Sequence, residues 1–335
     1  MIRYVVSRLV VSVAMVLLAT LVIFLIANTV PGDPVLTALG DMAASDPKQV
    51  AEFRARWGLD LPLWQQYWLF LERLAHGDLG VSISSRRPVL QDIIDYAPAT
   101  LELATVAFTL SILVGLPLGV LAAVRRDTVI DHIARAVSLI GVSAPTFWLA
   151  FIALAIFYGW LNWAPGPGRL DAVSFPPDRI TGLLLIDTAL QGDWDTFRDA
   201  AAHLVLPSIV LAAATLGLIT RTTRAAMLEA LSQDYVRVAK AKGLRGRLIV
   251  VDHALPNAML PVVTLGGLAY ANLLAGAVMT ETVFSWPGLG LYLTVSLLNA
   301  DMNAVLGATL VVGLIYLVLN LLSDLLYRLL DPRVA

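Results

Sequence analysis

Residues that could carry chemistry are few and dispersed in this chain of 335 residues. The four histidines, His76, His132, His203 and His253, stand far apart, and there is no cysteine. Neither a thiolate metal site nor a disulfide is available. No G-x-x-x-x-G-K-[ST], H-E-x-x-H or G-x-S-x-G occurs. A phosphate-cradling loop, a zinc-protease helix and a nucleophile elbow are therefore absent. No catalytic residue and no metal ligand set is expected. Charge gathers instead in "DYVRVAKAKGLRGR", residues 234–247, where Arg237, Lys240, Lys242, Arg245 and Arg247 stand among apolar residues. Asp234 suits a helix start, as cap and as an anion at the positive end of the dipole. Lys240 and Lys242 fall in the last turn and Gly243 suits a left-handed stop. Tyr235, Val238, Ala239 and Lys242 share one face. Such a short basic amphipathic helix has two readings: it rests on anionic lipid, at about 1 kcal/mol per Lys or Arg, or a partner protein grips it.

The elements that must position this helix are apolar. Hydrophobic residues make up 58% of the chain and charged ones 14%, against about 25% charged in soluble domains. Six runs are candidate spans: Leu9–Asn28, Leu101–Val124, Ala136–Trp160, His203–Thr220, Met259–Thr280 and Asn303–Leu326. At about 1.5 Å per residue they reach across a hydrocarbon core of about 30 Å. The expected architecture is all-α and transmembrane, a single multi-pass domain over residues 1–335. The first run exceeds a signal-peptide core and "NTVPGDP" follows it, so it reads as an uncleaved anchor. Arg3, Arg8, Arg125, Arg126, Arg135, Arg221, Arg224 and the basic stretch fall on one side of the spans. The positive-inside rule puts that side, with both termini, in the cytoplasm. Residues 29–98 then form a long extracytoplasmic loop and residues 221–258 a cytoplasmic one. A net charge of −2 gives no reason to expect a nucleic-acid partner.

The middles of the spans are almost free of ionisable residues, with Glu102, Glu281 and Asp324 near span ends. Charges at membrane depth are costly and kept for work such as proton relay. Their scarcity disfavours ion-driven transport and a charged-ring channel, so energy for moving a solute must come from elsewhere. In the long outer loop, Trp64, Tyr67, Trp68, Leu71 and Leu74 fall on one helical face, either a membrane-surface anchor or a dock for an outside partner. In the second outer loop, 161–202, Asp187, Asp193, Asp195 and Asp199 read as a solvated face. In the fifth span Ala269, Asn272, Gly276 and Thr280 form a small-or-polar stripe. Helix packing or a translocation path would each produce it. Phe284, Trp286 and Pro287 read as a re-entrant or rim segment at the outer edge, and Pro145 as a kink in the third span.

The basic stretch resembles the cytoplasmic loop signature of ABC-importer permeases, E-A-A-x3-G-x9-I-x-L-P. Arg237, Val238 and Ala239 are followed by Gly243 and then by His253, Ala254, Leu255 and Pro256 at the signature's spacing. Arg237, Val238 and His253 depart from its residues, as the peptide-transport branch does. "VPGDP", "GLDLPLWQQY", "GDLGVS", "ALPNAMLPVVT", "ETVFSWPGLG" and "LLDPR" resemble the same branch, so the likeness runs along nearly the whole chain. It is similar to dipeptide and oligopeptide permeases, with "TGLLLIDTAL" leaning toward the dipeptide member. The resemblance implies a six-helix type I importer fold in a bacterial inner membrane. Its implied partners are a second homologous permease, two cytoplasmic ATPase subunits that bind ATP and magnesium, and an extracytoplasmic peptide-binding protein. The basic helix would then be a coupling helix, with Asp234, Tyr235, Arg237, Ala239, Lys240, Ala241 and Gly243 at the ATPase interface. Asn272, Gly276 and Thr280 are the candidate pathway residues. An importer of oligopeptides, glutathione, haem or a nickel chelate, a passive channel and a non-transporting scaffold stand as alternatives.

Overall fold

The computed structural model describes residues 2–29, 47–48, 50–51 and 60–330. The "VPGDP" motif at 30–34 and the terminal residues 331–335 lie outside the described residues. Among these the chain is helical, with one isolated bridge, Val81 to Pro88. The order is α1 (Ile2–Thr29), α2 (Leu63–Ala75), α3 (Val89–Val124), α4 (Val129–Ser143), α5 (Thr146–Ala153), α6 (Leu184–Gln191), α7 (Trp194–Ser232), α8 (Asp234–Ala241), α9 (Leu255–Val283), α10 (Leu289–Leu298) and α11 (Met302–Leu330). Wider π-helical turns continue α5 over Leu154–Trp160 and precede α9 over Ile249–Ala254. Among the described residues five helices are long and apolar enough to cross a membrane, or up to six if α4 and α5 make one broken span.

The kink expected at Pro145 is a break between two helices. These bend by 107° between Ser143 and Thr146. Pro145 has no backbone N–H, and its ring drives the preceding residue out of the helical region. Ala144 is accordingly extended (φ −81°, ψ 131°), and a new helix starts after Pro145. By contrast, α3 passes straight through Pro98 and Pro117. It begins at Val89, well before the expected span start at Leu101.

The chain divides into two compact units, Met1–Ala97 with Tyr292–Leu317, and Pro98–Leu291 with Val318–Ala335. In the first, the Thr20 hydroxyl answers its own helix at the Leu17 carbonyl (2.8 Å) and meets the Tyr67 hydroxyl at 3.1 Å. Phe24 packs on Tyr67 and Phe70 with centroids 5.4 and 6.0 Å apart. The apolar face expected for α2 is thereby divided: Tyr67 turns to α1, whereas Trp64 and Trp68 stay about 70% exposed. Asp301 is fully buried and accepts from the Ser82 hydroxyl (2.6 Å), Ser84 N (3.0 Å) and Ala304 N (3.2 Å). One carboxylate thus caps α11 and holds the turn that leads into α3.

In the second unit α7 is the central helix, and glycines let its neighbours come close. A Cβ on Gly217 would lie 2.6 Å from the Ser138 carbonyl of α4, and one on Gly119 of α3 2.7 Å from the Thr220 carbonyl. A Cβ on Gly141 would strike the Ala213 carbonyl. Small residues allow this backbone approach between membrane helices. The acidic residues of the second outer loop do not form one solvated face. Asp187 is buried, Asp193 caps α7 by accepting from Thr196 N (3.1 Å), and Asp199 accepts from Asp171 N (3.0 Å). Asp195 alone of the four is as exposed as expected.

Candidate functional site

Helix α8 is eight residues long, too short to persist by its own hydrogen bonds. Burial holds it. Val236 and Ala239, one turn apart, are 0% and 6% exposed and pack with Ile249 in a small apolar cluster. Its C-terminus closes as a Schellman motif: Gly243 N donates to the Lys240 carbonyl (3.0 Å) and Leu244 N to the Ala239 carbonyl (3.3 Å). Gly243 sits at φ +75°, where a side chain is strained, although a Cβ there would meet nothing within 4 Å. The expected Asp234 cap does not form. Gln233 is the N-cap, and Asp234 in the first turn pairs instead with Arg237 at 2.9 Å.

Of the residues the sequence places at this site, Asp234, Tyr235, Arg237, Lys240, Ala241 and Gly243 are exposed together, and Ala239 turns inward. Ala239 therefore seats the helix on its own chain. The outward face also presents Val238 (53% exposed), Leu248 and Val251. The Tyr235 hydroxyl accepts from Asn257 Nδ2 at 3.3 Å, tying α8 to the base of α9. Beneath it, Met227 and Ala230 of α7 pack with Ala254 and Ala258 and with Ala123 of α3. The result is a basic, partly apolar knob on a firm base. It presents positive charge and apolar surface side by side.

The stripe in α9 divides. Asn272 and Gly276 are exposed, whereas Ala269 and Thr280 are buried at 3% and 0%. Nothing in the chain lies within 4 Å of where a Gly276 Cβ would be. Phe284 and Trp286 do not form an outer rim: they are 2% and 1% exposed. Trp286 Nε1 donates to the Ala99 carbonyl (2.9 Å), and Gly168 N donates to the Phe284 carbonyl (2.9 Å). An indole inside the fold needs a partner for its N–H, and the Ala99 carbonyl in α3, next to Pro98, supplies it.

Several charged residues that sequence spacing could not pair are brought together. Glu281 is fully buried and accepts from the Thr100 hydroxyl (2.6 Å), Gly290 N (2.7 Å) and Leu291 N (3.1 Å). Its carboxylate fills the space where a Cβ on Gly288 or Gly290 would stand, which explains the glycines of "WPGLG". Glu102 accepts from Arg169 and from Leu185 N (2.7 Å), and the Arg169 guanidinium lies 5.4 Å from the Trp286 ring centroid. Asp131 of α4 is fully buried in a two-pronged pair with Arg224 of α7, at 2.6 and 2.8 Å. His203, expected at a span end, is 4% exposed, and its Nδ1 bonds to Asp199 at 2.9 Å with Asp171 nearby. These three side chains come within 4.8 Å of one another, yet their mutual hydrogen bonds account for the cluster.

Comparison with known proteins bears on the whole chain. Residues 115–335 match the family model "Binding-protein-dependent transport system inner membrane component" and residues 1–104 its N-terminal companion model. The chain is 43% identical over 336 residues to the dipeptide transport system permease protein DppB of Escherichia coli (strain K12), covering 100% of this chain and 99% of that one. It is 46% identical to a probable D,D-dipeptide transport system permease protein of the same strain, covering 93% and 91%. It is 44% identical to a di/tripeptide transport system permease protein of Pseudomonas aeruginosa (strain UCBPP-PA14), covering 94% and 93%.

Proposed function

The chain belongs to the family of binding-protein-dependent transport system inner membrane components, and from that premise we propose that it is the permease subunit through which an ATP-driven importer takes up dipeptides. The observation that carries the substrate class is identity of 43% along the full length of a dipeptide permease. The chain works as a multi-pass inner-membrane protein without an ATPase site of its own. A second permease forms the other wall of the path, two cytoplasmic ATPase subunits bind ATP and magnesium, and an extracytoplasmic binding protein delivers the peptide.

Helix α8 is where the ATPase pushes. Turning a 1:99 inward/outward balance into 99:1 takes about 5.5 kcal/mol of differential binding. The buried carboxylates are each engaged within the chain. Asp131 is held by Arg224, Glu102 by Arg169, and Glu281 by a hydroxyl and two backbone N–H groups. An exposed knob on a packed base suits the transmission of force from a partner. On α9, Asn272 and Gly276 face the path or the second permease, because a bare amide facing lipid is costly. Thr280 supports that face from within.

The test is ATPase activity of the co-purified complex in lipid, with and without binding protein and a panel of dipeptides. Stimulation by particular dipeptides is the expected result. A complex that assembles and ignores every peptide moves the substrate to another small solute. Failure of any ATPase to co-purify overturns the importer reading.

A further inference from the structure

A push on α8 must also reach the third crossing. We infer that the Arg224–Asp131 pair is the clamp through which movement of α8 enters the third crossing, an inference that rests on the coupling reading above. One residue, Gln233, separates the end of α7 from α8. Arg224 lies about two turns back along α7. Its Nε donates to Asp131 Oδ1 at 2.6 Å and its Nη2 to Oδ2 at 2.8 Å. The same carboxylate accepts from Asp127 N at 3.0 Å, in the turn between α3 and α4, and has Arg135 at 3.5 Å. A single buried group therefore joins α7, α4 and the turn that enters α4.

Geometry supports a mechanical role over a merely cohesive one. Buried ion pairs are poor stabilisers compared with apolar packing, because desolvation offsets attraction. What a two-pronged guanidinium–carboxylate pair adds is direction and register, since both prongs must stay aligned. Farther along, the contacts of Gly217 with Ser138 and of Gly141 with Ala213 keep α4 against α7. Val236 and Ala239 seat α8 on Ile249, and a few residues on, Ala254 and Ala258 pack with Met227 and Ala230 of α7. Then α4 stops at Ser143, and the chain bends by 107° before α5. The inner half of the third crossing is thus fastened to the pushed body, and the break at Ala144–Pro145 is the hinge about which its outer half lags.

The pair is tested in the full complex with binding protein, in lipid vesicles, by measuring peptide taken up per ATP hydrolysed. Arg224→Lys keeps the charge and loses the fork. The double variant Asp131→Leu/Arg224→Met replaces the pair by apolar groups and avoids an unpaired buried charge, so assembly is retained. Both are expected to hydrolyse ATP while uptake per ATP falls, by about tenfold for the double variant, a typical coupling magnitude. A double variant that assembles with the parent ratio overturns the clamp and leaves the pair as packing. Gly243→Pro is run in parallel: if that complex imports normally, the coupling reading itself fails, whatever the pair does.

Discussion

Asp187 is 3% exposed, in a loop where acidic side chains would ordinarily face water. Burial pushes its carboxyl up, but the Thr181 hydroxyl (2.7 Å) and the backbone N–H groups of Thr181, Gly182 and Ile180 outweigh burial and hold it below the usual carboxylate range. A group with a depressed folded value stabilises above its unfolded value, near pH 4, and loses that contribution as pH falls through the folded value. Asp187→Asn is therefore expected to lower stability by about 1–3 kcal/mol at neutral pH. The gap to the parent should close below about pH 4. Thermal unfolding of the purified complex between pH 3 and 7 measures it, and a gap independent of pH would show that charge is not its source. Glu281 answers the same need with a hydroxyl and two backbone N–H groups, and Asp131 with a guanidinium.

At the scale of elements, α8 divides its labour between faces. Val236 and Ala239 fasten it, its outward residues stay exposed, and Gly243 releases the chain into the next turn. Because a Cβ at Gly243 meets nothing, Gly243→Ala loses only backbone comfort, about 1–2 kcal/mol. Gly243→Pro cannot adopt φ +75° and also removes the N–H that donates to Lys240. The alanine variant is expected to retain uptake in part and the proline variant to abolish it, with both complexes reaching the membrane. Uptake assays on matched membrane fractions decide this, and full uptake by the proline variant sinks it. A bulky residue at Ala239 would act differently, by prising α8 off Ile249.

For the whole molecule, coupling depends on the side of the membrane that α8 faces. The bias of Lys and Arg along the loops leads us to propose that both termini and α8 face the cytoplasm. The chain contains no cysteine, so single introduced cysteines report cleanly. Val173 is 85% exposed in the second outer loop, and Arg126 has a side chain 67% exposed in the turn before α4. A membrane-impermeant maleimide is expected to label Val173→Cys in intact cells and Arg126→Cys only after permeabilisation. The opposite pattern would invert the topology and remove α8 from reach of any cytoplasmic ATPase. Apolar residues that remain exposed on α1 and α9 suit lipid, as a multi-pass inner-membrane protein requires.

What the sequence determined by itself is what short-range chemistry controls. Runs of apolar residues long enough to span lipid announce α1, α3, α7, α9 and α11. The spacing in 234–247 announces α8 and its stop at Gly243, and the motifs along the chain carry the resemblance to a peptide permease. Tertiary structure decided the rest, because it depends on which distant groups meet. Pro145 breaks its span while Pro98 and Pro117 do not. The inward turn of Ala239 follows from Ile249, the burial of Trp286 from a carbonyl at Ala99, and the burial of Asp187 from a ring of donors around it. Asp131 and Arg224 are separated by 93 residues, and no local pattern links them. Hydrophobic periodicity is written in neighbours, whereas a buried charge finds its partner only once helices pack and water is excluded.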